Sequence, residues 1–527
     1  MKKYFLVLSL IFSGQSIWSA QNLIYCSEGS PATFNPQLAT DSVSLNASAQ
    51  AIFNRLVEFK KGGTEIQSGL AESWTISKDR KTYTFKLRPN VQFHSNDYFK
   101  PTRTLNADDV VYTFKSQMDK KNPLTIPAAN YEYFKAMELD QLIKDVKKID
   151  NSTVVFELNR PEAPFLANMA MDFASILSEE YAQSLIKSGK GLKTLDTNPI
   201  GTGPFVFKSY QKDSTIKYVS FENYFKGRQK LDQLIFVIVP DSTVRTQKLV
   251  SGECHVMSEP QPQDIVHLSK NNKLNVLSTE GLNVSYVAFN TNKKPFDNVK
   301  IREALSMAMN QKSYIDIIYK SQGVPAKNPI PQTMWSYRKS TPEYKYNVEE
   351  AKKLLASEGY PNGFETELWT LPVSRPYLPN GKKLGELIQA DLAKIGVNVK
   401  LVTFDWPTYL EKSKKGDHQM IQFGWVGDNG DPDNSLNFLL GCSAIQAGSN
   451  YARWCDKKFD DLLQKAKTDP AMATRSKFYQ QAQEIFHKEK PWFLIAHAKQ
   501  NKVINKNVDG YKIDPFGHDQ FEGVSLK

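Results

Sequence analysis

The chain has 527 residues, a composition ordinary for a globular protein (40% hydrophobic, 23% charged) and a formal net charge of +11. It exceeds the size at which one hydrophobic core stops growing, so two or three domains are expected. Its basic residues are scattered, and Lys-Lys pairs usually alternate with acids. That describes a solvated basic surface, not the clustered stripe that binds nucleic acid or a membrane.

In chain order, Lys2 and Lys3 precede the apolar run Tyr4–Phe12, and Ser19-Ala20 are small residues suited to cleavage before Gln21. Residues 1–20 therefore read as a secretory signal peptide, too short to span a membrane as a mature helix. Leu23-Ile24-Tyr25 before Cys26 lack the small residues of a lipoprotein cleavage site, so a soluble exported protein is expected. No later stretch holds about 18 uninterrupted apolar residues, so no stable membrane insertion is expected. Cleavage leaves about 507 residues and, without Lys2 and Lys3, a formal charge of +9.

Tyr83, Phe85 and Leu87 alternate on one face after the turn Ser77-Lys78-Asp79-Arg80, which predicts a hairpin over 74–88. Asn106 with Asp109 predicts a capped helix beginning at Val110-Val111-Tyr112. Thr153–Leu158 reads as a short strand ended by Arg160-Pro161, and Leu234–Val239 as a buried strand stopped by Pro240-Asp241. The second half alternates helix and strand: a helix over Val299–Met309, one capped by Asn347 and Glu350 and ended by Gly359, an amphipathic helix over Lys383–Ile395, then a strand over Val397–Phe404. That rhythm predicts an α/β domain. Pro491–Lys527 returns to strand and turn character.

The four cysteines are Cys26, Cys254, Cys442 and Cys455. An even count in an exported chain suggests two disulfides, with three possible pairings. None has Cys-x-x-Cys spacing, which argues against a zinc ribbon or redox pair. Cys442 and Cys455 are close enough to staple a local loop, which leaves Cys26 with Cys254.

Residues 424–434, Gly-Trp-Val-Gly-Asp-Asn-Gly-Asp-Pro-Asp-Asn, place three carboxylates in six positions among Gly, Asn and Pro. Such a stretch reads as a loop at the end of an element, where an acid can face a cleft and meet a cation. Calcium is disfavoured: Pro432 stands where a calcium loop needs flexible ligands, and no bidentate Glu closes it. Other chemistry is sparse. The seven histidines show no His-x-x-x-His spacing. There is no Gly-x-Ser-x-Gly elbow and no Walker A loop. Ser184–Lys187 and Ser209–Lys212 match Ser-x-x-Lys without its companion motifs. Binding without catalysis, and without a cofactor or metal, is the expectation.

Taken together, these residues resemble the dipeptide/oligopeptide-binding proteins of ABC importers, the family 5 extracellular solute-binding proteins. The resemblance rests on Tyr25-Cys-Ser-Glu-Gly-Ser-Pro-Ala-Thr-Phe-Asn-Pro36, Gly69-Leu-Ala-Glu-Ser-Trp74, Leu105-Asn-Ala-Asp-Asp-Val-Val111, Arg160-Pro-Glu-Ala-Pro-Phe165, Asn198-Pro-Ile-Gly-Thr-Gly-Pro-Phe205 and the 424–434 stretch. It implies an α/β fold of the type II periplasmic-binding-protein kind, two lobes around a hinge with a subdomain inserted in lobe I. The implied limits are 21–52, 203–279 and 499–527 for lobe I, 53–202 for the insert and 280–498 for lobe II. The pairs Cys26–Cys254 and Cys442–Cys455 fit the family's pattern.

The resemblance further implies that Asp428 holds a ligand's α-ammonium and Arg375 its α-carboxylate. An extended dipeptide is a zwitterion, and a fixed carboxylate and guanidinium measure its length; a longer peptide leaves a charge buried and unpaired. Arg suits the carboxylate because its fork binds bidentately. Tyr377 and Trp425 are expected to flank side-chain pockets, and backbone groups near Gly424, Gly427 and Thr40 to pair with the peptide backbone. The expected protein is a monomeric periplasmic receptor for di- or tripeptides, delivering them to an inner-membrane permease with its ATPase subunits. Rival readings are a haem- or antimicrobial-peptide-binding member of the family and, from another class, an exported peptide hydrolase.

Overall fold

The computed structural model describes residues 21–527; the expected signal peptide lies outside the described residues. Two large apolar cores organise it. The first gathers buried residues from Leu23 to Val256 and again from Ile504 to Val524. The second gathers residues from Leu282 to Ala498, with Phe516 added. The bodies built on them are here lobe I and lobe II.

One mixed sheet passes through both lobes. In lobe I, β1 (Asn22–Ser27) lies parallel to Gln233–Ile238 on one side and to Val256–Met257 on the other. In lobe II, β2 (Asn283–Phe289) pairs antiparallel with β3 (Met420–Val426). β4 (Trp492–Asn505) is long enough to serve both lobes. Its first half pairs with β2, and its second half with Leu274–Glu280 and Val256–Met257. Every residue of β2 is buried. A strand covered on both faces has no solvent side to alternate with, so Tyr286–Phe289 run apolar, and the two polar residues, Asn283 and Ser285, donate to the Ala498 and Ala496 carbonyls of β4.

The helices and the strand expected in lobe II appear, joined by a strand the sequence reading did not identify, Glu365–Trp369. Glu365–Trp369 lies parallel to Asn398–Val402, and the helix Gly381–Ala393 connects them. Helices cover Val299–Ala308 and Val348–Ser357, the latter capped by Asn347. A separate antiparallel sheet is built from Ala71–Ile76, Thr82–Leu87, Thr153–Leu158 and Ile143–Asp150. The helix Ala107–Met118 beside it starts at a capping box between Asn106 and Asp109. One expectation is corrected. The stretch from Gly424 is not all loop, because Gly424, Trp425 and Val426 complete β3. Three more elements frame the site: α1 (Ser42–Ala47), α2 (Pro432–Leu440) and α3 (Lys457–Thr468).

Cys26 is bonded to Cys254, tying β1 to a segment 228 residues away. Both sulfurs sit in a small core with Leu249, Met257 and Val503. Cys442 is bonded to Cys455 just after α2. Among the described residues no helix is long and apolar enough to cross a membrane.

Candidate functional site

The three carboxylates that follow β3, on the loop and the first turn of α2, have different fates. Asp431 caps α2 by accepting from the Asp433 amide, and both its oxygens accept from Arg475 Nη2 at 2.8 Å. Asp433 faces Lys467, with Oδ2 to Nζ at 3.9 Å. Asp428 has no cationic side chain in ion-pair range among the described residues, although it is largely enclosed. Asn434 of α2 holds it: Asn434 Oδ1 accepts from the Asp428 amide at 2.9 Å, and Asn434 Nδ2 donates to Asp428 Oδ2 at 3.3 Å. Tyr133, from lobe I, donates its hydroxyl to Asp428 Oδ1 at 3.1 Å. Burial pushes the Asp428 carboxyl up to about 6, against the opposing pull of the Asn434 and Tyr133 hydrogen bonds. An enclosed carboxylate that is oriented by neutral donors and left without a counter-ion is arranged to receive a cation.

Asp428 opens onto a cavity of about 180 Å³ between the lobes, lined also by Tyr133, Gln50, Arg55, Asp172 and His518. Arg375 lines a different cavity, of about 310 Å³, with Ser42, Arg245 and Glu259 of lobe I. The two charged groups thus do not share one cavity. α1 runs along both, giving Leu45 to the first and Ser42 to the second. Thr40 is exposed just before Asp41, the N-cap of α1.

Arg375 sits on a tight turn, in which its amide donates to Leu378 O and the Leu378 amide donates back. Its guanidinium lies 4.4 Å from the centre of the Trp406 ring. Stacking of this kind fixes the fork while leaving its N–H donors free. Among the described residues the Arg375 side chain has no carboxylate partner.

Tyr377 and Gly424 connect the two ends. A Cβ built on Gly424 would lie 2.1 Å from Tyr377 Cδ2. This is the reason for glycine inside a strand: the Tyr377 ring occupies the place of a side chain. Tyr377 is buried, its hydroxyl pushed up to about 12 by burial, and its carbonyl accepts from Tyr319 Oη at 2.9 Å. Gly424→Ala is expected to cost about 1–3 kcal/mol by overpacking, read as a lower unfolding midpoint. Trp425 is fixed by Nε1 donating to Asn434 Oδ1 at 3.2 Å and by Phe438 at 4.9 Å between ring centres. The Gly427 amide donates to Leu282 O at 2.6 Å, so that N–H is already taken. On its outer edge β3 pairs only at Met420 and Ile421, which leaves the edge at Gly424 and Trp425 without a strand partner.

Arg375, Tyr377, Gly424, Trp425, Gly427 and Asp428 therefore belong to one continuous stretch of lobe II. The sequence reading missed the lobe I wall: Tyr133, Asp172, Gln50, Arg55 and His518. No local pattern marks them, since Tyr133 meets Asp428 across 295 positions of chain.

The family model described as "bacterial extracellular solute-binding proteins, family 5 Middle" matches residues 65–447. The chain is 49% identical over 509 residues to the dipeptide-binding protein of Escherichia coli (strain K12), covering 96% of this chain and 95% of that one. It is 48% identical to heme-binding protein A of Haemophilus influenzae, covering 96% and 93%. A crystal structure of a dipeptide-binding protein from a Pseudoalteromonas species, in complex with Met-Leu, superposes with a TM-score of 0.87 at 38% identity, over 96% of this chain and 100% of that one. The chain belongs to the family 5 bacterial extracellular solute-binding proteins. It has their two-lobed, type II-like fold.

Proposed function

We propose that the protein is a periplasmic receptor that closes on dipeptides, and on some tripeptides, for delivery to an ABC permease. The observation that carries this reading is an enclosed carboxylate without a counter-ion at Asp428 and a stacked guanidinium without a carboxylate at Arg375, at the two ends of one lobe II surface. Between them, the unpartnered edge of β3 at Gly424 and Trp425 offers main-chain groups to an extended peptide, a recurrent way of binding peptide backbone. Asp428 takes the α-ammonium and Arg375 the α-carboxylate; Tyr377 and Trp425 flank the side chains, and lobe I contributes Thr40. Hinge motion at the two crossovers, 274–283 and β4, carries lobe I (21–52, 203–279, 499–527) and its insert (53–202) against lobe II (280–498). The reading involves no covalent step. The receptor acts as a monomer, and the permease with its ATPase subunits meets the cleft-side rims of the closed form.

Calorimetry tests this. Ala-Ala is injected into protein refolded to remove carried-over ligand, with N-acetyl-Ala-Ala and Ala-Ala-amide as controls. Tight binding of Ala-Ala that is lost with either cap is expected; no heat with Ala-Ala in folded protein rules the reading out. Affinity also depends on pH. The Asp428 carboxyl must be ionised, so binding weakens as pH falls through about 6. The peptide's α-amino group must be protonated, so binding weakens again above about 8. A bell-shaped affinity profile between pH 5 and 9 is the expected result; a flat acid limb removes Asp428 from the ammonium site.

The second reading follows from the haem-binding relative, whose identity to this chain is nearly as high as that of the dipeptide-binding one. A porphyrin carries propionates and no ammonium, so it leaves Asp428 without a counter-ion. A Soret band in protein from haem-fed cells would favour it.

A further inference from the structure

The cavity at Asp428 contains a second acid, from the opposite lobe, whose chemistry the fold does not use up. Asp172 is buried, and its two oxygens are employed unequally. Oδ1 accepts from Arg55 Nη1 at 2.9 Å and from Gln50 Nε2 at 2.7 Å. Oδ2 is buried with no hydrogen-bond donor; His518 Nε2 lies 3.5 Å from it. A buried carboxylate oxygen left without a donor is costly unless something arrives to satisfy it.

The charges around the cavity point the same way. Its lining holds four carboxylates (Glu58, Asp172, Asp428, Glu522) against Arg55, Lys226 and Lys61, the last with its pKa lowered by burial to about 8, apart from the His518 imidazole. Lys226 lies 2.8 Å from Glu58 and 3.4 Å from Glu522. Lys61 donates to the Glu522 carbonyl at 2.5 Å, and Arg55 takes Asp172. One negative charge is left over at Asp428, and one idle carboxylate oxygen at Asp172. A single primary ammonium, with one positive charge and three N–H donors, satisfies both deficits.

We propose that Asp172 is a second ligand for the bound peptide's α-ammonium, facing Asp428 across the cavity, so that the ammonium itself ties lobe I to lobe II. This rests on the dipeptide reading above and adds a residue to it. It accounts for a fixed carboxylate on each lobe: an ammonium held by Asp428 alone would bind equally well to the open form, and a ligand drives closure only by contacts that the closed form adds. A purely structural role, holding Arg55, explains Oδ1 and leaves Oδ2 unexplained.

The test is calorimetry of the wild type and Asp172→Asn with two ligands, Ala-Ala and N-propionyl-alanine, the same molecule without its amino group; the weaker ligand is measured by competition. Asparagine keeps an oxygen for Arg55 and Gln50 while removing the charge. The expected result is a loss of about 10- to 100-fold for Ala-Ala, with propionyl-alanine changed by less than about threefold. An equal loss for both ligands means a structural role and overturns the proposal, as does an unchanged Ala-Ala affinity. If melting shows that Asp172→Asn is unfolded, Asp172→Glu replaces it. The displaced carboxylate must then alter the preference for Ala-Ala over propionyl-alanine, and an unaltered preference overturns the proposal. Failure of the wild type to bind Ala-Ala overturns the dipeptide reading itself, and this inference with it, and is distinguishable from the other outcomes.

Discussion

Asp428→Asn is expected to weaken Ala-Ala binding by about 2–5 kcal/mol, the range for removing one partner of a buried, hydrogen-bonded charge pair. That corresponds to about 30-fold or more in Kd. The substitution is nearly isosteric: the amide oxygen can still accept from Asn434 Nδ2, and the Tyr133 hydroxyl can turn to accept from the new N–H, so the loss reports the charge and not the shape of the site. Unliganded stability is expected to move the other way. A carboxyl whose folded pKa lies above its ordinary value favours the fold at low pH, and that contribution is lost as pH rises through about 6. At pH 7.5 the folded wild type therefore holds an anion that its surroundings disfavour. The variant, free of it, is expected to melt at the same temperature or higher, an exchange of stability for function that is common at binding sites. Calorimetry with Ala-Ala and a thermal melt of the ligand-free variant check both halves. A variant that binds Ala-Ala as the wild type does would remove Asp428 from the site.

Lys467→Met is expected to penalise the closed arrangement of the lobes by up to about 3–5 kcal/mol, the cost of removing one partner of a buried ion pair, reduced because Arg160 stays 3.0 Å from Glu138 and 3.5 Å from Glu162. Lys467, on α3 of lobe II, is 4% exposed. Its Nζ lies 3.2 Å from Glu138 and 3.4 Å from Glu162, both on segments of the lobe I core. Burial works against the Lys467 ammonium, but Asp433, Glu162 and Glu138 outweigh it and hold its pKa above the ordinary lysine value. Neighbouring contacts cross the same boundary: the Ala163 amide donates to Lys467 O at 2.8 Å, and Asn429 Nδ2 donates to Asn168 Oδ1 at 2.7 Å. When the hinge opens these groups regain water, so the loss falls on closure and is read as weaker dipeptide affinity and a larger radius of gyration. Burial raises the Glu162 carboxyl to about 7 even with Lys467 present. The favourable contribution of a raised carboxyl exists at low pH and disappears as pH rises through its folded pKa. Without the lysine, Glu162 escapes its penalty by binding a proton, so the affinity deficit is expected to be smaller at pH 5.5 than at pH 8. A deficit independent of pH would contradict the assignment of the cost to Glu162.

The sequence by itself determined the elements whose signals are local. The 106–109 cap, the Asn347 cap, the Thr153–Leu158 strand, and the helix and strand that run from Gly381 to Val402 appear where periodicity and capping chemistry put them, because a few neighbouring side chains decide each one. It also singled out the Asp-rich stretch after β3. It did not reveal which of the three acids there is free, since that depends on Arg475 and Lys467, which arrive from other helices and occupy Asp431 and Asp433. Nor did it show that Gly424 lies inside a strand: a glycine run reads as a loop until the Tyr377 ring is seen in the space above it. The lobe I wall of the cavity, with Tyr133, Asp172 and His518, left no local trace, because those residues meet Asp428 only through contacts that span most of the chain. Tertiary structure alone decided these points, since closure between two separately built lobes brings together groups that have no pattern in common along the sequence.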